Sequence, residues 1–101
     1  RTGDITGRWG GEEFIILLPE TNQEDAFKQA ERLRKAIAAL IIPCKDEVLK
    51  VTGSFGVVGT NQIPKTKLSI EDLTLDFFII KADEAMYVAK NNGRNQICVS
   101  R

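Results

Sequence analysis

The sequence predicts one compact α/β layer fold, in which helices pack against a sheet and some elements of the fold are absent. Two observations favour this class. Short apolar runs bounded by glycine or proline alternate with two long amphipathic segments, in the order strand, strand, helix, strand, helix, strand. No internal repeat, low-complexity tract or linker divides the 101 residues. A chain of this length and order is expected to form a single domain.

The first half of the chain contains a predicted hairpin and a helix. A Gly-Gly pair precedes a short apolar run, which predicts a hairpin whose second strand, about residues 13–18, is buried on both faces. Thr21 and Glu24 have the spacing of a capping box, and the apolar residues after them recur at helical spacing. These signals predict a helix over about residues 22–40, closed by Pro43.

The second half contains a predicted strand, loop, helix and strand. Apolar and polar residues alternate over about residues 47–58, the period of a half-buried strand, while Gly53 and Gly56 indicate a bulge or close packing. Residues 61–67 are expected to form a loop. Apolar residues from Leu75 to Ala89 outline a second helix with Gly93 as its C-cap, and residues 96–99 form a short closing strand.

The composition excludes several classes of function. Fourteen Lys and Arg balance fourteen Asp and Glu, so the chain lacks the basic surface of a protein whose main partner is nucleic acid. The chain has no histidine, which excludes a Ser/His/Asp relay, a histidine metal site and a histidine general base. Proton transfer would therefore fall to carboxylates or lysine.

Cysteine usage indicates a reducing compartment, and hydropathy gives no sign of a membrane-spanning segment. Cys44 and Cys98 form no CxxC pair and are too few for a zinc cage, so we expect both to be reduced in a cytoplasmic domain, with a disulfide as the alternative. The longest uncharged apolar stretch, residues 36–44, is far too short to span a membrane. We expect no membrane contact by this segment, and tethering of a longer parent protein stays open.

The segment Gly10–Glu13 is the most unusual local feature. Two glycines let a backbone approach a ligand closely, and the two adjacent carboxylates, Glu12 and Glu13, suit a hard divalent cation such as Mg²⁺. A hairpin turn with a solvated acidic tip explains the same residues without any function. Composition alone favours that simpler interpretation.

A second candidate is the pair Lys90 and Arg94, four residues apart at the end of the last helix. At that spacing both side chains would point the same way. They could clamp phosphate, with the polar residues around Gly93 leaving the backbone tight enough to bring a ligand near, or simply complement the helix dipole. Arg1 and Asp4, spaced RxxD, and Arg32 on the first helix have by default the role of solvated surface charges.

The residues from Arg8 to Phe14 resemble the signature of the GGDEF family of bacterial diguanylate cyclases, in its GGEEF form. The resemblance extends from Arg1 to about Val99, because further segments follow the family in order and at suitable separation. These segments are the Pro19 strand ending and the stretches Ala30–Arg34, Val51–Val57, Ala82–Lys90 and Gly93–Asn95.

The resemblance implies a nucleotidyl-cyclase, palm-like α+β sandwich and a transferase activity in bacterial signalling. Two GTP molecules, one on each domain of an antiparallel homodimer, would condense to cyclic di-GMP and two pyrophosphates. By the same resemblance Gly10 and Gly11 pass close to the nucleotide, Glu12 binds Mg²⁺ or Mn²⁺ and accepts the proton, and Glu13 supports the metal.

The resemblance also assigns the basic residues. Lys90 and Arg94 match the positions that hold the terminal phosphates. Arg1 and Asp4 look like the family's inhibitory product site for cyclic di-GMP, to which Arg32 contributes from the neighbouring helix. Arginine suits such a site because its planar fork can contact phosphate and guanine edges and stack on a purine.

The chain departs from the family pattern at its beginning. The family's domain starts well upstream with a helix and a first central strand, which carry a metal-binding aspartate, the phosphate turn and the residues that read guanine. Residues 1–101 are therefore expected to be a partial GGDEF domain with an exposed sheet edge and no turnover on its own. The alternatives are a non-catalytic GGDEF module that binds GTP or cyclic di-GMP and regulates an attached EAL-type phosphodiesterase or other partner domain, and a plain interaction module.

Overall fold

The computed structural model describes residues 3–60 and 74–100. This part of the chain contains six strands and two helices in an order close to the predicted one. In chain order they are β1 (Ile5–Gly10), β2 (Glu13–Leu17), α1 (Gln23–Ala38), β3 (Ile42–Cys44), β4 (Glu47–Leu49), β5 (Phe55–Val57), α2 (Leu75–Asn91) and β6 (Ile97–Val99). The predicted loop at residues 61–67 lies outside the described residues.

The strands form three separate pairs. β1 and β2 make an antiparallel hairpin, β3 and β4 make a second one, and β5 and β6 lie parallel with Phe55 opposite Ile97. Both helices pack against β5 and β6. The mixed α/β class predicted from the alternation of elements is therefore confirmed, and the parallel pair forms the centre on which the helices converge.

The centre of the fold depends on the close approach of β5 to α2. A Cβ atom on Gly56 would lie 1.9 Å from the carbonyl oxygen of Ala82 and 2.5 Å from the backbone nitrogen of Met86. Only glycine fits there, as the prediction of close packing at this residue required. Val57, Ala85 and Ala89 are buried around this contact.

The first helix begins and ends at slightly different residues from those predicted. Asn22 caps α1, because its side-chain oxygen accepts a 2.8 Å hydrogen bond from the backbone nitrogen of Asp25. The predicted capping box on Thr21 is wrong, since the Thr21 hydroxyl donates instead to the carbonyl oxygen of Pro19 at 3.0 Å. The backbone carbonyl two residues earlier offered this hydroxyl a local turn partner. Gln23, in the first turn, is buried and accepts from the Gly59 nitrogen at 3.0 Å, which ties α1 to the residues after β5.

The second helix runs two residues beyond the apolar pattern that predicted it. The Thr74 hydroxyl accepts from the Phe77 nitrogen at 3.2 Å and caps its start. Asn92 is the C-cap, and Gly93 follows it with a φ of 117°. The predicted C-cap is thus wrong by one residue. Gly93 follows the cap in a left-handed conformation, the position in which glycine commonly ends helices.

Two strand predictions are wrong. β2 was expected to be buried on both faces, yet Phe14 is 71% exposed, because β2 packs extensively only against β1 among the described elements, and none of them covers its faces. The predicted strand over residues 47–58 is two short strands, β4 and β5, which belong to different pairs. Pro43, expected only to close α1, lies in β3 opposite Val48, so this part of the chain turns back on itself as a hairpin.

The molecule is open and elongated. It extends over 56 × 32 × 24 Å with a radius of gyration of 15.1 Å, where a closed domain of this length has about 13 Å. Neither cysteine forms a disulfide among the described residues, and Cys44 is exposed. Within the described ranges no helix has the length and apolar character needed to cross a bilayer. The exposed strands and the open shape agree with the expected apolar sheet edge.

Candidate functional site

The glycine pair forms the tip of the β1–β2 hairpin. Gly10 pairs with Glu13, so Gly11 and Glu12 are the two residues of the turn. Gly11 has a φ of 53°, a left-handed conformation that side chains with a Cβ adopt at a cost. The pairing also shifts between Arg8 and Gly10, which places a bulge at Trp9 immediately before the turn. The predicted turn is thus present, and its sharpness depends on Gly11.

An arginine two residues before the glycine pair clamps this turn. The guanidinium group of Arg8 donates two hydrogen bonds to the carbonyl oxygen of Gly11, from Nε at 2.9 Å and from Nη2 at 2.7 Å. Charged donors make the stronger class of hydrogen bond, and a pair of them fixes the direction of the carbonyl. The sequence reasoning gave Arg8 no role beyond its place in the family signature.

The turn presents its carboxylates to solvent. Glu12 is exposed at the tip and Glu13 is half-buried at the start of β2. Two adjacent carboxylates fit the ligand set that Mg²⁺ prefers when substrate phosphates complete its coordination. Within the described ranges no three His, Cys, Asp or Glu side chains gather into a possible metal cluster, so Glu12 and Glu13 could supply only part of a coordination shell.

The two candidate phosphate ligands flank the end of α2. Lys90 lies half-buried in the last helical turn, whereas Arg94 is exposed in the loop after the helix. The expectation that both side chains share one helical face is therefore wrong, because α2 ends at Asn91 and Gly93 reverses the backbone. Both cations remain at the same end of the helix, where they complement its dipole.

The loop that carries Arg94 has an unusual backbone. Gly93, Arg94 and Asn95 have φ values of 117°, 64° and 47°, three left-handed residues in succession. The Arg94 nitrogen donates to the carbonyl oxygen of Ala89 at 3.0 Å, the long hydrogen bond of a Schellman ending. The side-chain amide nitrogen of Gln96 donates to the carbonyl oxygens of Asn92 and Arg94 at 2.9 and 3.1 Å. Hydrogen bonds from Arg94 and from Gln96 thus both hold the loop against the end of α2.

Two further contacts connect this loop to the rest of the fold. The Asn95 nitrogen donates to the Ser54 hydroxyl at 3.2 Å, and Nη1 of Arg34 donates to Oδ1 of Asn95 at 3.0 Å. Arg34 also bonds through Nε and Nη2 to one carboxylate oxygen of Glu31. This hydrogen bond, with the positive charges of Arg34 and Lys35, lowers the pKa of Glu31 against a smaller opposing effect of desolvation, and the same bond raises the pKa of Arg34.

The sequence reasoning did not find this network. The spacing of Glu31 and Arg34 on a helix was a usable signal for their pairing. Their contact with Asn95 was not, since Arg34 and Asn95 are 61 positions apart.

The predicted product-site residues are only partly described. Arg1 lies outside the described residues, and Asp4 is half-buried just before β1. Arg32 is exposed on α1, on the rim of a shallow groove of about 300 Å³ that Phe27, Lys28, Glu31 and Lys35 also line. The groove combines an aromatic ring with three cations, of which Lys28 also pairs with Glu24 at 3.7 Å.

The structure groups these residues into separate clusters. Gly10, Gly11, Glu12 and Glu13 lie together on the hairpin tip, and Lys90 and Arg94 lie together at the end of α2. Among the described elements the hairpin makes no extensive contact with α1 or α2. The acidic turn and the basic loop are therefore two parts of a candidate site that the described contacts do not join.

A comparison with protein-family models accounts for this combination. The model described as the diguanylate cyclase GGDEF domain matches residues 1–96. The chain belongs to the GGDEF family. The matched range includes the glycine turn, the acidic tip and the end of α2. Diguanylate cyclases of this family are generally metal-dependent.

Relatives support the assignment in sequence and in structure. The chain is 36% identical over 101 residues to diguanylate cyclase A of Treponema denticola, covering all of this chain and 25% of that protein. The diguanylate cyclase SiaD of Pseudomonas aeruginosa, solved with its activator SiaC, superposes with a TM-score of 0.83 at 36% identity, over 99% of this chain and 35% of that one. The active GGEEF domain of a Vibrio cholerae diguanylate cyclase superposes with a TM-score of 0.72 at 34% identity. This superposition covers 97% of this chain and 56% of that one.

These likenesses confirm the fold predicted from the resemblance. The chain spans about a quarter or less of the length of the curated relatives it matches, for example 20% of the response regulator PleD of Caulobacter vibrioides.

Proposed function

We propose that this chain is part of a diguanylate cyclase domain that condenses two GTP molecules to cyclic di-GMP. One observation carries the proposal. In a chain of this family the Gly10–Gly11 turn is intact, clamped by Arg8, and presents Glu12 and Glu13 at its exposed tip. Relatives of similar sequence bear the name diguanylate cyclase.

The reaction requires two such domains that face each other with one GTP each. The 3′-hydroxyl oxygen of one GTP attacks the α-phosphorus of the other, and the bond from that phosphorus to the β-phosphate oxygen breaks. Each attack releases one pyrophosphate, and the attacking hydroxyl gives its proton to the carboxylate of Glu12. Two symmetrical attacks close the ring of cyclic di-GMP. The domains would therefore act as an antiparallel homodimer.

The residues of this chain contribute position and charge. The left-handed Gly11 and the side-chain-free Gly10 leave the turn open to the nucleotide, and Lys90 and Arg94 hold its terminal phosphates. Glu12 and Glu13 would hold a divalent cation, Mg²⁺ or Mn²⁺. Such a cation, when bound, neutralises phosphate charge and favours loss of the hydroxyl proton.

The remaining guanine, phosphate and metal contacts would come from residues that precede this chain. We assign residues 1–101 to a partial GGDEF domain on this ground, and the open shape supports it, as does the edge of β2 that no described strand pairs with. The fragment alone is then expected to be inactive. GTP as substrate implies a cytoplasmic location for the domain.

Product binding would regulate the same domain. Arg1 and Asp4 would form an inhibitory site for cyclic di-GMP with Arg32, whose guanidinium lies beside the aromatic and basic groove on α1. Planar arginine side chains suit both the phosphates and the guanine edges of such a ligand.

The test is made on the full-length protein that contains this chain. With GTP and Mg²⁺ we expect the wild type to form cyclic di-GMP, Glu12→Gln to lose at least about a hundredfold in rate, and the control Glu24→Gln to keep it. Glu24 is an exposed carboxylate in a weak surface pair with Lys28. An unchanged rate in Glu12→Gln would overturn the catalytic role, and GTP binding without product would identify a regulatory module instead.

A further inference from the structure

We propose that Arg34 is a positioning residue that fixes the loop carrying Arg94 by bonding Asn95. This inference rests on the proposed function for its meaning, since Arg94 matters only if it holds substrate phosphate. The geometry that carries it is independent of that function. It consists of one side chain on α1 that holds a strained loop at the far end of the chain.

The loop has to be held, because its backbone is unfavourable. Arg94 and Asn95 both lie in the left-handed region, where residues with a Cβ lose stability relative to their usual conformations. Such conformations persist when the surrounding contacts determine them. Asn95 tolerates the left-handed region better than most residues, but Arg94 has no such advantage. The position of the Arg94 side chain therefore depends on what fixes its neighbours.

Asn95 is the residue through which the loop reaches the body of the fold. Its backbone nitrogen donates to Ser54, just before β5, and its side-chain oxygen accepts from Arg34 on α1. The Arg94 nitrogen and the Gln96 side chain bond carbonyl oxygens at the end of α2, and the Gln96 side chain also bonds the Arg94 carbonyl oxygen within the loop. Next to the loop, the Phe55 nitrogen of β5 donates to the carbonyl oxygen of Gln96 at 3.0 Å. For residues 93–95 themselves, the contacts with other described elements are those of Asn95 with Ser54 and Arg34, and of these two only Arg34 brings a charged donor.

Arg34 is itself held in place for this contact. Its Nε and Nη2 atoms bind Glu31 one turn earlier, which leaves Nη1 directed to Asn95. The Arg34 side chain is only 19% exposed, so its bonds are sheltered from full solvent screening. The lowered pKa of Glu31 and the raised pKa of Arg34 agree with a pair that stays ionised in neutral solution. Because all three nitrogens of this planar guanidinium group make hydrogen bonds, it holds the loop at a fixed position relative to α1.

The test uses the full-length protein and separates binding from turnover. In Arg34→Gln and in Asn95→Ala, which leaves the Glu31 pair intact, we expect the KM for GTP to rise about tenfold while kcat changes less than about twofold. The double variant should be no worse than the weaker-binding single variant, because one hydrogen bond is lost in each case. Asn95→Asp keeps an acceptor for Arg34 and should restore a KM near that of the wild type. Glu24→Gln, at an exposed carboxylate on the same helix, is the control.

Amide hydrogen exchange gives a readout that does not depend on activity. Loss of Arg34 should speed the exchange of the Arg94 and Asn95 amides, whereas Glu24→Gln should leave both unchanged. Unchanged exchange and unchanged KM in Arg34→Gln and Asn95→Ala, or additive effects in the double variant, would overturn the inference. If the wild type forms no cyclic di-GMP, the proposed function fails and the exchange result alone decides the positioning role.

Discussion

Arg8 and Gly11 are joined by two hydrogen bonds, because Nε and Nη2 of the arginine both donate to one carbonyl oxygen at 2.9 and 2.7 Å. The contact closes the glycine turn from its own first strand. It links Gly11, one of the two turn residues, to Arg8, the residue before the bulge at Trp9. The direction of the Gly11 carbonyl, and with it the course of the backbone into Glu12, therefore depends on an arginine side chain.

Removal of the Arg8 clamp should lower activity more than stability. Arg8 is exposed, so Arg8→Gln should change the free energy of unfolding by less than about 0.5 kcal/mol. The turn would lose two charge-assisted hydrogen bonds, and we expect the rate of cyclic di-GMP formation to fall about tenfold. Initial rates and urea unfolding of the same two proteins check both parts. A full rate in Arg8→Gln would show that the turn holds its shape without the clamp.

Gly56→Ala should destabilise the fold strongly. The new Cβ would overlap the backbone of α2 at Ala82 and Met86, which cannot move as a side-chain tip can. We expect a loss of about 3 kcal/mol in the free energy of unfolding, measured by urea titration. Gly7→Ala in β1 is the matched control, since a Cβ there meets nothing within 4 Å among the described residues. Equal stability of the two variants would contradict the described packing of β5 against α2.

The Glu31–Arg34 pair should make the free energy of unfolding fall as the pH is lowered into the acid range. The pKa of Glu31 is lowered below its ordinary value near 4.5, mainly by the hydrogen bond from Arg34. The folded state therefore binds that proton less readily than the unfolded state. The contribution is complete above pH 4.5 and is lost as the pH falls through the folded-state pKa. Unfolding followed from pH 7 to pH 3 should show a shallower decline in Glu31→Gln than in wild type. Glu24→Gln should keep the wild-type slope.

Substitution of Arg32 in the groove on α1 should lower the affinity for cyclic di-GMP. Arg32 is the exposed cation that the family resemblance places at the inhibitory site, and it lies with Phe27 and Lys35 on one groove. In the full-length protein, Arg32→Gln should weaken cyclic di-GMP binding about tenfold by calorimetry. Lys81→Gln, a partly exposed cation on α2, serves as the control. Identical dissociation constants for wild type and Arg32→Gln would remove Arg32 from the product site.

Local patterns predicted the elements of this fold, whereas burial could not be predicted from them. The two helices follow from apolar residues at helical spacing, and the glycine turn follows from the Gly10–Gly11 pair. The apolar run of β2 was interpreted as a strand covered on both faces, but Phe14 is exposed because coverage depends on neighbours that the run itself does not encode. Likewise, residues 47–58 alternate continuously although they serve two different sheets.

For the candidate site, the sequence likewise indicated the motif residues but not the residues that support them. Motif spacing singled out the acidic turn and the two cations near the end of α2, and both segments lie within the range that the family model matches. The supporting residues were missed, because Arg34 acts through a contact with Asn95 that joins distant parts of the chain. The left-handed conformation of Arg94 was missed as well, since no local rule assigns it to arginine.

The central claim is tested most directly by the products that the full-length protein forms from GTP and Mg²⁺. Separation of the nucleotides by chromatography, with pyrophosphate measured in parallel, gives both the identity of the product and the balance of the reaction. The account predicts cyclic di-GMP with two pyrophosphates for each molecule formed, and loss of both products in Glu12→Gln. Absence of cyclic di-GMP from a folded wild-type protein that binds GTP would contradict it.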